Sequence, residues 1–210
     1  MKISHRNRSS KNAQMCEACE VITRENHLGA EVELTMLFAD VRGSTELASK
    51  LIPTGFQKAM NTFFLIANRV LIRRDAIIDK MVGDEVIALF VPGLVGLDHA
   101  RIGMTCALEI ADRVAELEFE GWRIEIGIGL HKDVTYLGHV GDASTSSGIT
   151  AMGTPMNLTA RLVSAAAGWE ILFTKQIADS LEMLDPRAEL RTLQLKGIPN
   201  TLEAFALSPK

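Results

Sequence analysis

Two apolar runs, residues 76–82 and 85–91, are separated by Gly83-Asp84 alone. Two strand-forming runs joined by so short a glycine-containing link fold as an antiparallel hairpin. That hairpin constrains what precedes it. Residues 31–40 alternate, with Leu34, Met36 and Phe38 on one face, and read as a strand. Gly43-Ser44-Thr45 then opens a helix, with Ser or Thr as its cap. Pro53 interrupts it, and a second helix is expected over 54–74, where Phe56, Met60, Phe63, Ala67, Val70 and Leu71 form one stripe.

Downstream, the pattern predicts a helix over 98–117 and a strand pair, 122–131 with 134–141, separated by Lys132-Asp133. A polar loop, "DASTSSGI", fills 142–149. A helix follows to Gly168, with Thr154 as cap and Pro155 at its first position. A strand at 170–173, a helix over 174–184 and two strands flanking "LKGIPN" complete the chain. The order β-α-ββ-α-ββ-α, then β-α-β, has the split βαβ logic of a ferredoxin-like α+β sandwich: an antiparallel sheet covered by helices, with a C-terminal βαβ extension. One domain is expected over 31–210, preceded by a polar N-terminal extension over 1–30.

With 47% hydrophobic and 23% charged residues, the chain can bury a core, and wholesale disorder is excluded. A net charge of -4 argues against a general nucleic-acid binder, so an anionic ligand would need local positive groups or metal ions. No apolar run approaches the roughly 20 residues of a membrane span. Lys2, Arg6, Arg8 and Lys11 precede no apolar stretch, which excludes a secretory signal and leaves a disordered basic terminus or a weak anchor for acidic lipid or a partner. Three cysteines without such a signal suggest a reducing, cytoplasmic setting. Cys16 and Cys19 have the spacing of half a zinc site, with His27 nearby, whereas Cys106 falls on the apolar face of a helix.

Asp40 ends an otherwise apolar strand, and the following "VRGST" turns into a helix N-terminus, where free N–H groups favour an anion such as phosphate. A carboxylate beside such a cradle suits Mg²⁺, which binds one or two carboxylates plus phosphate oxygens. Asp84, at the hairpin tip, is the natural second carboxylate, because the first strand and the hairpin are neighbours in this topology. Asn157 and Arg161, at i and i+4, share one helix face amid Met156, Leu158 and Leu162; a solvated face is the alternative reading.

Four motifs, "LTMLFADVRGSTELA", "IIDKMVGDEVIALF", "TAMGTPMNLTARLVSAA" and "LKGIPNTLEAFAL", resemble in order and spacing the catalytic domain of class III nucleotidyl cyclases. The resemblance covers residues 33–207. It implies a homodimer with active sites at the subunit interface and two Mg²⁺ or Mn²⁺ ions per site. It further implies that Asp40 and Asp84 hold metal together with the Val41 carbonyl, and that the backbone of Arg42, Gly43, Ser44 and Thr45 wraps the triphosphate. Lys80 and Thr150 match the residues that read adenine, Asn157 the one that positions the ribose, Arg161 the one that stabilises α-phosphate charge, and Lys196 the one that reaches the terminal phosphates. In the family the metal aspartates come from one subunit and Lys80, Thr150, Asn157 and Arg161 from the other.

The implied activity is conversion of ATP to cyclic AMP and pyrophosphate. Lys80 argues against a guanylate cyclase, where an acid is usual, while pyrimidine-nucleotide cyclases share the scaffold. Two departures stand out: Lys132-Asp133 replaces the usual Thr-Gly pair near the dimer arm, and Thr150 stands where many members have Asp. The hairpin also resembles the "GGDEF" turn of diguanylate cyclases, but Val82 and Val86 break that motif. A non-catalytic, cyclase-like regulatory partner would be expected to lack one of the site residues, and none is lacking.

Overall fold

A computed structural model describes residues 17–26, 28–119, 121–140 and 148–209. The helices are α1 (Glu17–Glu25), α2 (Ser44–Lys50), α3 (Pro53–Arg73), α4 (Pro92–Val95), α5 (His99–Ala115), α6 (Thr154–Ala165) and α7 (Lys175–Ala178). The strands are β1 (Gly29–Val41), β2 (Ile77–Val82), β3 (Glu85–Phe90), β4 (Glu118–Phe119), β5 (Trp122–Arg123), β6 (Ile126–Val140), β7 (Gly148–Met152), β8 (Glu170–Thr174), β9 (Glu189–Leu193) and β10 (Leu202–Leu207). One mixed sheet runs β2-β3-β1-β6-β8-β10-β9, with β7 also paired to β6, while β4 and β5 form a separate short ribbon.

The sequence expectation of a ferredoxin-like core is met. β1 lies antiparallel to both β3 and β6, and β2 closes the hairpin on β3. α2 with α3 makes the first crossover and α5 the second. The extension adds β8 parallel to β6, then the antiparallel strands β10 and β9.

Helices cover both faces. On one, Phe63, Ala67 and Leu71 of α3 and Ala107 and Ile110 of α5 pack on Leu37, Phe90, Ile128 and Leu130 of the sheet. Burying each of the large side chains contributes about 1.5–3 kcal/mol. On the other face, Val163 of α6 meets Leu34, Met36, Phe38 and Ile87. The helix approaches closely there because Gly129 has no side chain: a Cβ would lie 2.7 Å from the Val163 nitrogen. Cys106 is a buried free thiol, pushed up to about 12 by burial. No helix among the described residues is long and apolar enough to cross a membrane.

Several local expectations are corrected. The anticipated strand pair around Lys132-Asp133 is one continuous strand, β6. Its charged residues stay in register opposite Thr35 and Leu34, Lys132 pairs with Glu33 at 3.2 Å, and the Asp133 carboxylate accepts from the Val134 N–H. Trp122-Arg123 belongs instead to the short ribbon. The helix expected over 174–184 stops after one turn. Beyond it, Ser180 and Leu181 bond three residues back, and the Ser180 hydroxyl donates to the Gln176 carbonyl, which competes with a regular helix. α6 ends at Ala165 rather than Gly168. Neither Ser44 nor Thr154 caps its helix; Gly43 and Gly153 hold those places at positive φ. Gly148 and Ile149 belong to β7, while 141–147, Cys16, His27 and the basic residues of the N-terminus lie outside the described residues.

Candidate active site

The C-terminal end of β1 and the tip of the β2–β3 hairpin meet. The Val41 N–H donates to the Asp84 carbonyl at 3.2 Å, and Asp40 stands in register opposite Glu85. Gly83 makes the tight turn possible with φ 64°. Two of the expected metal ligands, Asp40 and Asp84, therefore share one corner. Burial pushes the Asp40 carboxyl up to about 6; Asp84 adds to the rise and Arg42 opposes it. Glu85, which sequence reasoning missed, is pushed up to about 7 by burial first and then by Asp40 and Asp84. Its place follows from strand register, because the residue after the turn faces the end of β1.

The Arg42 guanidinium pairs with Asp40 and reaches the Ala166 carbonyl at 3.4 Å. It supplies the positive charge that this acidic corner needs. The Arg42 N–H is already bonded to the Glu125 carbonyl at 2.8 Å. The first-turn N–H groups of α2, beginning at Ser44 and Thr45, lack partners within the helix by its geometry. Beside this turn a cleft is lined by Val41, Arg42, Gly43, Lys50, Trp122 and Glu125, with the Lys50 ammonium 4.2 Å from the centre of the Trp122 ring.

The corner fits a hard divalent cation in part. Its donors are carboxylate and carbonyl oxygens, the set Mg²⁺ prefers, and the raised Asp40 value reports burial first, with the neighbouring Asp84 charge adding to it. Among the described residues, no three His, Cys, Asp or Glu side chains form a self-contained metal cage. A cation here would complete its shell from phosphate oxygens and water.

A second group forms on β2 and β7. Lys80 is half exposed, with its ammonium 3.8 Å from the buried Asp79 carboxylate. Thr150 and Ala151 of β7 bear on that same carboxylate. Lys80 and Thr150, distant in sequence, are thus brought to one place. Asn157 and Arg161 are exposed on α6, on the face opposite buried Thr159, Leu162 and Val163. Lys196 sits on the exposed turn between β9 and β10, at the sheet edge opposite β2. Among the described residues of one chain, no hydrogen bond or ion pair joins Asn157, Arg161 or Lys196 to the Asp40–Asp84 corner.

The family model of the adenylate and guanylate cyclase catalytic domain matches residues 29–208. An adenylate cyclase of Anabaena cylindrica is 28% identical over 181 residues, covering 82% of this chain and 36% of that protein. An uncharacterized protein of Mycobacterium tuberculosis is 31% identical over 140 residues, 66% of this chain and 25% of that protein. The chain thus spans well under half the length of these curated relatives. The crystal structure of the adenylyl cyclase CyaB from P. aeruginosa shares the fold with a TM-score of 0.73 at 23% identity, over 85% of this chain and 95% of that one. The guanylyl cyclase Cya2 does so with 0.72 at 24% identity, over 85% and 92%. One fold thus carries both names, and the fold alone leaves the nucleotide open.

Proposed function

The chain belongs to the adenylate and guanylate cyclase catalytic domain family, and on that premise we propose that it is an adenylate cyclase, forming 3′,5′-cyclic AMP and pyrophosphate from ATP in a homodimer with active sites at the subunit interface. The observation that carries this reading is the clasp of Asp40 against Asp84, in a chain that also bears Lys80, Asn157 and Arg161.

Asp40, Asp84 and the Val41 carbonyl would hold two Mg²⁺ or Mn²⁺ ions, which when bound lower the pKa of the ribose 3′-hydroxyl and neutralise phosphate charge. Gly43, Ser44 and Thr45 present backbone N–H groups to the triphosphate, and Arg42 adds side-chain charge beside it. Asn157 holds the ribose so that its 3′-oxygen lies in line with the α-phosphorus. Arg161 stabilises the charge that builds on the α-phosphoryl oxygens as pyrophosphate departs. Lys196 binds the terminal phosphates. Lys80 and Thr150 contact the base. No side chain is needed as a dedicated base, since positioning and charge stabilisation carry most of phosphoryl transfer.

The separation of these groups within one chain supports a shared site. Asn157 and Arg161 stand exposed on α6, and Lys196 lies at the far edge of the sheet. The test is turnover of ATP, GTP, CTP and UTP with Mn²⁺, with cyclic products separated by chromatography. Cyclic AMP as the main product is expected. A preference for GTP, or binding without cyclisation of any nucleotide, overturns the reading.

A further inference from the structure

β2 loses step with β3 at one residue. The register runs Ile78↔Ala88 and then Lys80↔Ile87, so Asp79 has no partner across the ladder. A bulge re-aims a side chain, and here the aim is inward. The Asp79 side chain is 0% exposed, and neither carboxylate oxygen has a hydrogen-bond partner of good geometry. A buried carboxylate is costly unless neighbouring groups answer it.

Its neighbours are the two residues assigned to the base. Lys80 Nζ lies 3.8 Å from Asp79 Oδ2. Across β7, the Thr150 hydroxyl and the Ala151 N–H favour the ionised carboxyl, while burial, the larger effect, raises its pKa. The Thr150 hydroxyl donates to the Ala151 carbonyl only at a long 3.4 Å. One carboxylate thus stands between Lys80 and Thr150.

We infer that Asp79 is the positioning residue that sets the hydrogen-bond pattern shown to the base: its carboxylate accepts a hydrogen bond from the Thr150 hydroxyl and anchors the Lys80 ammonium, so that Thr150 faces the nucleotide as an acceptor and Lys80 as a donor. The inference rests on the ATP reading above and deepens it.

A threonine hydroxyl by itself both donates and accepts, and so discriminates poorly; lysine only donates. With its proton engaged by Asp79, Thr150 only accepts. Adenine presents an acceptor at N1 and a donor at its 6-amino group. A 6-oxopurine presents the reverse, a donor at N1 and an acceptor at O6. The pair therefore matches adenine, and a 6-oxopurine sets donor against donor and acceptor against acceptor. A site with such fixed polarity rejects the mismatched base because its polar groups are left unpaired.

The experiment compares ATP with inosine triphosphate, which carries a 6-oxo group and an N1–H, on the full chain with Mn²⁺. The unaltered chain is expected to favour ATP in kcat/KM by about tenfold or more. Asp79→Asn should narrow that ratio by about tenfold, chiefly through a higher KM for ATP, while the thermal melt stays near that of the parent. In a Thr150→Val background, Asp79→Asn should change the ratio clearly less than it does in the parent, because only its hold on Lys80 is then left to lose. A folded Asp79→Asn protein with an unchanged ratio overturns the inference and leaves the adenylate cyclase reading intact. Equal use of both nucleotides by the unaltered chain also overturns it, and that measurement decides the matter if Asp79→Asn does not fold. A chain that prefers GTP to ATP, or cyclises nothing, overturns the proposed function and this inference with it.

Discussion

The Val41 N–H donates to the Asp84 carbonyl at 3.2 Å, tying the end of β1 to the tip of the β2–β3 hairpin. The corner is tied by this backbone bond as well as by the Arg42–Asp40 ion pair, so removing either carboxylate charge should leave the fold in place. Asp40→Asn and Asp84→Asn are each expected to lower kcat by at least about 100-fold. The thermal melt of Asp40→Asn should be equal to or above that of the parent, because Asp40 bears a burial cost when ionised, and that of Asp84→Asn should stay near it. Turnover within severalfold of the parent in either variant contradicts the metal-site assignment.

Glu85 rises from an ordinary 4.5 to about 7 in the folded chain. Between those values the folded state binds the extra proton, so this group makes stability fall as pH rises through that window. Glu85→Gln should therefore melt above the parent at pH 8 in the presence of a chelator, and the gain should shrink toward pH 5. A gain that does not depend on pH, or a loss at pH 8, contradicts the assignment.

Gly129 lets α6 lie directly on β6. An added Cβ would sit 2.7 Å from the Val163 nitrogen and 3.0 Å from the Thr159 carbonyl oxygen, both backbone atoms that cannot move alone. Gly129→Ala is expected to cost about 1–3 kcal/mol, read as a melt lowered by about 2–4 °C per kcal/mol. Activity should fall as well, since α6 carries Asn157 and Arg161. An unchanged melt would show that the helix has room to withdraw.

Arg161 stands exposed, with its side chain making no ion pair among the described residues. Arg161→Ala should leave the melt unchanged and lower kcat about 100–1,000-fold, with a smaller change in KM. A change confined to KM would make it a binding group only.

Much of this architecture is legible locally. Gly83 supplies the positive φ that its hairpin needs, and the stripe through Phe63, Ala67 and Leu71 marks the buried face of α3. Long-range pairing hides the rest. Lys132 and Asp133 resemble turn residues, yet β1 holds them in a strand, with Glu33 answering the lysine. In the site, Asp40 and Asp84 stand out as acids ending or linking apolar runs. Glu85 and Asp79 do not: the first matters through its register with Asp40, the second through a bulge that turns an ordinary strand position inward. Neither a register nor a bulge is written in nearest-neighbour sequence.

A site shared between two subunits has a direct test. Asp84→Asn and Arg161→Ala, each inactive alone, are mixed after brief denaturation and refolded together. Half of the dimers then pair one of each variant, and each of these holds one intact site of two, so the mixture should recover roughly a quarter of the parent activity. No recovery from a refolded mixture that elutes at twice the 23.0 kDa chain mass contradicts the interfacial site.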